Sequence, residues 1–207
     1  MNIRISRDLD EAGRVWNELW PAGDIFSRWD ARVCFQQSFG RPVHFIIAES
    51  GGRPAGFVGL SRIDEEGSFG LFPGETWKGR TWFEQNRIPA GSDITRMMLW
   101  EAVPDGSSLR YLVEDSAGAV PGSTLDETGY LFRPPLYGFD FNRYWGGFSG
   151  TSRKKIGRER DDLGDLEYSH DGLSPSDIEW MFETNRAVFG PDSFFSDPRF
   201  LSGFENM

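Results

Sequence analysis

The sequence is poor in the residues that metal and thiol chemistry require. It contains one cysteine, Cys34, and only two histidines, His44 and His170, in 207 residues. A lone cysteine forms no intramolecular disulfide, and so few ligands make a zinc site implausible. We interpret Cys34, in an apolar stretch, and His44, beside a predicted strand, as structural residues. The composition therefore excludes most metal and thiol enzymes, and we predict no metal site.

Long apolar runs are also missing. No window approaches the roughly 18 consecutive apolar residues of a membrane span. The N-terminus MNIRISRDLDEAG has neither the apolar core nor the cleavage site of a secretory signal. The chain also lacks the G-x-S-x-G elbow of serine hydrolases and the G-x-x-x-x-G-K-[ST] phosphate loop. We expect a cytoplasmic protein without a membrane span that belongs to neither enzyme class.

Aromatic residues are abundant, and charge is unevenly distributed. Phe, Trp and Tyr make up 15% of the chain, which is enough to build a core and excludes global disorder. The net charge of −10 argues against a nucleic-acid partner, yet TSRKKIGRER holds five basic residues against one acidic residue. This basic segment has three explanations: it is a solvated helix face, it binds the phosphates of coenzyme A or RNA, or it attaches this domain to a second domain. The sequence leaves all three open.

Hydrophobic periodicity predicts an α/β fold with a mixed sheet. The predicted elements of the first part are a strand over 2–6, a helix over 10–20, a helical stretch over 25–39, strands over 43–49, 54–63 and 68–72, a short strand over 82–85, a helix capped by Ser92, and a buried strand over 109–114. A Gly-Gly pair predicts a hairpin turn at 51–52. The last strand, helix and strand form a crossover unit if the sheet is mixed. We expect the apolar stripe of the Ser92 helix to be Ile94, Met97 and Met98.

The second part begins with an extended aromatic stretch over 130–139. A polar helix over 141–162, ended near Gly164, a short strand over 166–170 and a helix capped by Ser174 follow. We expect Gly190-Pro191 to end this last helix. Its predicted inner face consists of Ile178, Met181, Phe182, Asn185, Val188 and Phe189.

One loop carries small residues directly before a helix. In Arg87-Ile88-Pro89-Ala90-Gly91-Ser92, backbone N–H groups and the positive end of the helix dipole suit a phosphate. An ordinary loop-to-helix entry explains the same residues, and on the residues alone we favour it. Two strand carboxylates, Glu49 and Glu114, are candidates for a base, but we favour a solvent-facing position for both.

The order of these segments resembles the GNAT superfamily of acyltransferases. It is most similar to the tandem-domain branch with the Fem peptidoglycan aminoacyl transferases and the CelD-like acetyltransferases. Three pieces carry the likeness: FSRWDARVCFQQSFGRPVHFIIAESGGRPAGFVGLSRI, RIPAGSDITRMMLWEAVPDGSSLRYLVED and FNRYWGGFSGTSRKKIGRERDDLGDLEYS. The last piece is the most specific. The resemblance implies a GNAT-like mixed, largely antiparallel sheet flanked by helices.

The resemblance also implies a binding site. In simple GNAT domains a Q/R-x-x-G-x-G/A loop holds the pyrophosphate of coenzyme A, and the nearest match here is Arg87 to Ser92, with Ala90 and Ser92 at glycine positions. The residues implied to bind the cofactor are Arg87, Ala90, Gly91, Ser92, Arg153, Lys154, Lys155 and Arg158. The implied reaction transfers an acyl group from acyl-CoA or aminoacyl-tRNA to the amine of a small molecule or peptide. No residue is implied as the catalytic base.

The resemblance divides the chain into three parts. It implies a GNAT-like domain over 1–140, a basic linker helix over 141–165 and, over 166–207, the start of a second, incomplete GNAT-like domain. A second domain or a partner chain would then complete the enzyme. The competing hypothesis is a non-catalytic protein-binding module, or a degenerate half-domain, that needs a partner chain.

Overall fold

The fold, seen in a computed structural model, is mixed α/β and centres on an antiparallel sheet. The structure describes residues 1–20, 23–113, 122–124, 132–164, 172 and 174–207. The sheet contains β1 (Asn2–Ser6), β2 (Val43–Ser50), β3 (Arg53–Ile63) and β4 (Ser68–Leu71), in the order β1-β2-β3-β4. The predicted strands and the turn at Gly51 and Gly52 are confirmed.

Two helices cover one face of this sheet. They are α1 (Leu9–Leu19) and α2 (Trp29–Phe39), with a short 3-10 turn (Ile25–Ser27) between them. Trp16 of α1 packs against Phe57 of β3 at 5.8 Å between ring centroids, and Trp29 of α2 stacks on Phe72 at 4.8 Å. The predicted helical stretch from 25 is therefore a turn followed by a helix, because Arg28 is extended.

The outer edge of β3 is completed by two separate segments. Near β4, the Phe72 N–H donates to the Gly59 carbonyl at 2.9 Å, and farther along the Phe57 N–H donates to the Pro89 carbonyl at 2.9 Å. Between these points residues 73–85, here called the excursion, leave the sheet. The excursion forms a small hairpin of β5 (Thr76–Trp77) and β6 (Arg80–Thr81). The predicted strand over 82–85 is wrong, since the pairing lies a few residues earlier.

Residues 108–113 lie next to the two segments that pair with the outer edge of β3, and they run parallel to them. Parallel bridges join Gly70 to Ser108 and Asn86 to Leu112, and α3 (Asp93–Glu101) connects the two sides. The four named strands form an antiparallel sheet, so the predicted mixed sheet appears only as these two isolated parallel bridges, and the predicted strand, helix and strand unit has its helix without either regular strand. The buried strand predicted over 109–114 appears only as bridges within residues 108–113, here called the parallel segment; residue 114 lies outside the described residues.

α3 presents a different face to the sheet from the one predicted. Thr95 and Leu99 are buried, whereas Ile94 and Met97 are 70% and 56% exposed. The reason is Gly56 on β3: a Cβ there would lie 2.7 Å from Leu99 Cδ1, so the missing side chain lets α3 approach. Shape, rather than hydrophobic periodicity, decides which face of the helix is inside.

The C-terminal residues pack on the N-terminal part of the chain. Residues Met1–Thr124 and Glu179–Met207 form one compact unit, in which α7 (Pro198–Glu205) lies against α2. Phe200, fully buried, contacts Phe35 and Phe39 at 5.9 and 5.1 Å between ring centroids. The structure groups Glu179–Met207 with the first unit. The start of a second, incomplete GNAT-like domain that the resemblance implies over 166–207 stays a prediction.

The helix before α7 shows a narrower inner face than predicted. This helix, α6 (Pro175–Phe189), begins after Ser174 and ends at Gly190, as expected. Of its predicted face only Phe182 is buried, while Val188 and Phe189 are exposed. The apolar periodicity overestimates burial because these side chains meet no facing element among the described residues.

A second unit comprises residues Leu125–Ile178. It contains a 3-10 turn (Pro134–Tyr137) in the stretch predicted to be extended, followed by α4 (Phe141–Gly146) and α5 (Gly150–Leu163). The single helix predicted over 141–162 is interrupted because Ser149 caps a new helix, its Oγ accepting from the Ser152 N–H at 3.1 Å. Gly164 ends α5, and the strand predicted over 166–170 lies outside the described residues.

Within the described part of the chain, no helix is both long enough and apolar enough to cross a bilayer.

Candidate functional site

The loop from Arg87 to Ser92 is fixed between the sheet and α3. The Gly91 N–H donates to the Ala55 carbonyl of β3 at 2.8 Å, which ties the loop to the sheet. Ser92 Oγ accepts from the Thr95 N–H at 3.2 Å and so caps α3. The predicted N-cap is confirmed, and the loop lies at the positive end of the helix dipole.

An open cleft lies beside this loop. It has a volume of about 320 Å³, and its walls come from the end of α1, from residues 87–91 and from Arg96 of α3. We call it the Arg87 cleft. Of the four loop residues implied to bind a cofactor, Arg87, Ala90 and Gly91 line the cleft, whereas Ser92 does not and serves as the helix cap.

Two guanidinium groups make the cleft suitable for an anion. Arg87 lies over the Trp20 ring, with its Cζ 5.8 Å from the ring centroid. Arg96 donates through Nη1 to Asp93 at 2.6 Å, but its buried Nε has no hydrogen-bond partner among the described residues. A buried donor without a partner is costly, and an oxygen of a bound ligand would relieve that cost. Glu18 is the acidic residue of the lining.

The backbone contributes fewer donors than a glycine-rich phosphate loop would. Pro89 has no N–H, and the Gly91 N–H is already bonded to Ala55. The Thr95 N–H is bonded to Ser92 Oγ as well, so at the start of α3 only the first two amides, which have no intrahelical acceptor, are candidates. An anion in this cleft would be held by the two arginines and the start of α3 rather than by a cradle of loop amides.

The geometry of the cleft depends on a buried arginine of α2. Arg32 is 1% exposed, and its guanidinium donates to the carbonyls of Phe72 and Gln85 and to Asn86 Oδ1, the last at 2.9 Å. These acceptors stand at the two ends of the excursion. Arg32 therefore closes the base of the excursion and sets where the chain re-enters the sheet, immediately before Arg87.

The surroundings of Arg32 are aromatic and nearly dry. Its Cζ lies 4.5 Å from the Phe83 ring centroid and 5.0 Å from that of Trp16. Burial lowers the pKa of Arg32 to about 10, opposed by the negative charges of Glu75 and Asp24. At neutral pH the guanidinium stays charged and keeps all its donors.

On the return side, Asn86 holds the parallel segment. Its Nδ2 donates to the carbonyls of Phe83 and Arg110, at 2.9 and 3.1 Å, and its backbone N–H donates to the Tyr111 carbonyl. Tyr111 has a φ of 55°, which a side chain other than glycine rarely adopts. The buried asparagine thus stabilises an unusual backbone where the sheet is interrupted.

The residues of the basic segment that are implied to bind phosphate belong to a different compact unit from the Arg87 loop. Arg153, Lys154, Lys155 and Arg158 all belong to α5 of the second unit. Lys155 approaches Glu159 at 3.8 Å, the pairing expected of a solvated helix face. Their role toward a cofactor stays a prediction.

The remaining candidates have structural partners. Cys34 is only partly buried rather than fully buried, and its Sγ donates to the Asn206 carbonyl at 3.1 Å. Burial raises the pKa of the Cys34 thiol and lowers the pKa of His44. Glu49 pairs with Arg4 at 2.7 Å, and Glu114 lies outside the described residues.

Sequence reasoning missed Arg32 and Arg96. Each stands in a helix where arginine is a common surface residue, so neither position carries a local signal. The nearest clue to Arg96 was its place one turn after the Ser92 cap, which brings a side chain back over the loop. Nothing in the sequence indicates that Arg32 is buried.

Comparison with known proteins adds no identification: no family model, no curated protein and no solved structure matches this chain.

Proposed function

We propose that this protein is a GNAT-like N-acyltransferase of the cytoplasm that holds its acyl donor, acyl-CoA or an aminoacyl-tRNA, in the Arg87 cleft. The observation that carries the proposal is the meeting of a basic cleft, a capped helix start and a buried unpaired arginine donor at the loop singled out by its sequence. Such a junction suits the phosphates of a nucleotide carrier.

The arrangement of the first unit supports this proposal. Its elements follow the order strand, two helices, three antiparallel strands, helix and parallel segment, as the resemblance implies for a mixed, largely antiparallel sheet. The loop with Arg87 pairs with the outer edge of β3 through the Pro89 carbonyl and lies directly before α3. Ligands of open α/β sheets bind at strand ends.

Each residue of the cleft has a defined task under the proposal. Arg87 and Arg96 would pair with phosphate oxygens, and Trp20 would offer an aromatic surface beside them. The bound donor would supply the activated acyl carbonyl. A neutral acceptor amine would attack it and form the C–N bond while the C–S bond of a coenzyme A thioester, or the C–O bond of an aminoacyl ester, breaks; the carrier would leave as its thiol or hydroxyl, taking up a proton as the nitrogen loses one. The volume of about 320 Å³ admits the phosphate-bearing part of a carrier, at the lower end of ordinary ligand pockets.

Gly91 offers a sharp test by calorimetry. A Cβ at Gly91 would meet only the Ala55 carbonyl oxygen at 3.5 Å, so the fold tolerates a side chain that would narrow the cleft. We expect wild-type protein to bind coenzyme A and Gly91→Val to bind at least about tenfold more weakly. Gly146→Ala, where a Cβ meets nothing within 4 Å, serves as the control and should bind like wild type.

A second comparison distinguishes the donor carriers. Arg96→Gln should weaken coenzyme A binding, because it removes the charge beside the phosphates. If α5 grips the longer phosphate chain of a tRNA, changing Arg153, Lys154 and Lys155 to alanine should reduce tRNA binding in a salt-dependent manner. If wild-type protein binds neither coenzyme A nor aminoacyl-tRNA, the proposal is wrong, and a non-catalytic binding module becomes the better account.

A further inference from the structure

A buried carboxylate, Glu75, lies in the excursion and takes no part in the Arg87 cleft. It is 1% exposed. Its Oε1 accepts from the Thr81 hydroxyl and from the Trp82 and Phe83 N–H groups, the latter two at 3.2 and 2.9 Å. No residue that the structure describes hydrogen-bonds Oε2. The carboxylate is thus fixed through one oxygen while the other remains available.

Glu75 lines a small cavity at the interruption of the sheet. The cavity, which we call the Glu75 cavity, offers about 20 Å³ between β4, the excursion and the parallel segment. Roughly 10–15 Å³ of such space holds one water molecule. The cavity therefore admits a single group of about the size of water, such as a primary amino group.

The positive charges near the cavity already have hydrogen-bond acceptors. The charged residues of its lining are Glu75, the exposed Glu66 and Arg110. The Arg110 guanidinium donates to the Gly79 carbonyl and to Ser108 Oγ. Arg32, whose positive charge also acts on Glu75, is not part of the lining, and its donors are bonded at the base of the excursion. Glu75 Oε2 is therefore left as a lining oxygen to which no described residue donates.

We propose that the Glu75 cavity binds the amino group of a primary alkylamine, whose ammonium donates a hydrogen bond to Glu75 Oε2. An ammonium group is compact and has three donors, so it matches both the volume of the cavity and the negative charge of the Glu75 carboxylate. A quaternary ammonium is too large and has no donor. The inference rests on the proposed function only in identifying this amine as the acyl acceptor.

Amine binding and ionisation of Glu75 are linked. Burial raises the pKa of Glu75, while hydrogen bonds from Thr81 and the Phe83 N–H and the charge of Arg32 act in the opposite direction. A cation beside Oε2 favours the carboxylate and lowers that pKa. The charged groups facing Glu75 are Arg32 on α2, Glu66 in the β3–β4 turn and Arg110 on the parallel segment. Amine affinity should therefore rise as pH increases through the pKa of Glu75.

The test is a titration of the full chain with n-propylamine, followed by NMR of carboxyl-labelled glutamate. We expect saturable binding that shifts the Glu75 signal, lowers its pKa and weakens about tenfold or more in Glu75→Gln. Glu66→Gln, an exposed rim position, is the matched control and should change affinity much less. Equal affinity in wild type and Glu75→Gln would overturn the proposal.

A ligand series on wild-type protein keeps the test independent of any variant. Propylamine should bind, whereas N,N,N-trimethylpropylammonium and 1-propanol should bind at least about tenfold more weakly; equal binding of the trimethyl compound contradicts the proposal. Glu75→Gln keeps an oxygen for the three donors and should fold and still bind coenzyme A. Amine binding without coenzyme A binding would refute only the proposed function, and the converse would refute only this site.

Discussion

Removing the Arg32 guanidinium should destabilise the protein severely. In Arg32→Met the acceptors at both ends of the excursion lose their donors, and two of them, the Phe72 carbonyl and Asn86 Oδ1, belong to buried residues. An orphaned buried acceptor costs about 1–3 kcal/mol, so two cost roughly 2–6 kcal/mol. Met restores part of the packing volume. We expect a net loss of about 4 kcal/mol in the free energy of unfolding, a large share of the 5–15 kcal/mol typical of a domain.

The assay is urea unfolding at pH 7 followed by tryptophan fluorescence, with the free energy extrapolated to water. Arg14→Met, on the exposed face of α1, is the control and should stay within about 0.5 kcal/mol of wild type. Arg32→Lys keeps a charge but cannot reach all the acceptors, and it should fall between the two. A loss below about 1 kcal/mol in Arg32→Met would refute the idea that this residue closes the excursion.

Three further predictions concern stability. Phe200→Ala should lower the free energy of unfolding by about 3–5 kcal/mol, because it removes a buried ring from the contact between α7 and α2. Urea unfolding measures this change, and a value near zero would show that α7 does not pack there. Ser92→Ala should cost about 1 kcal/mol of unfolding free energy through the lost cap of α3, and no cost would contradict the capping geometry. The pKa of Glu65 is lowered to about 2 by hydrogen bonds from Arg41, so its stabilisation is present above the ordinary pKa of 4.5 and is lost as pH falls through 2. Acid unfolding of Glu65→Gln should lack this component, and an unchanged pH profile would argue against the Arg41 contact.

The sequence predicted local structure well where the signal is local. Ser92 and Ser174 cap their helices, and the Gly-Gly turn joins β2 and β3. These features depend on a few neighbouring residues, so the residue types that form caps and turns can be recognised directly in the sequence. The entry from the loop at 87–91 into α3 was predicted for the same reason.

What the sequence did not reveal depends on distant residues meeting in space. The buried face of α3 follows from the missing side chain of Gly56, about 40 positions earlier, and not from the periodicity of Ile94 and Met97. Arg32 joins acceptors 40 to 54 positions away, and its burial has no local signature. Glu75 stands in a Gly- and Trp-rich connection that looks like an ordinary loop until the sheet closes around it.

Backbone hydrogen exchange, with and without coenzyme A, measures directly whether a phosphate-bearing acyl donor binds at the Arg87 cleft, since binding slows exchange where a ligand contacts or rigidifies the backbone. We expect slower exchange confined mainly to residues 87–96, which form the loop and the first turn of α3. Unchanged exchange there at saturating coenzyme A, or protection elsewhere alone, would contradict this expectation.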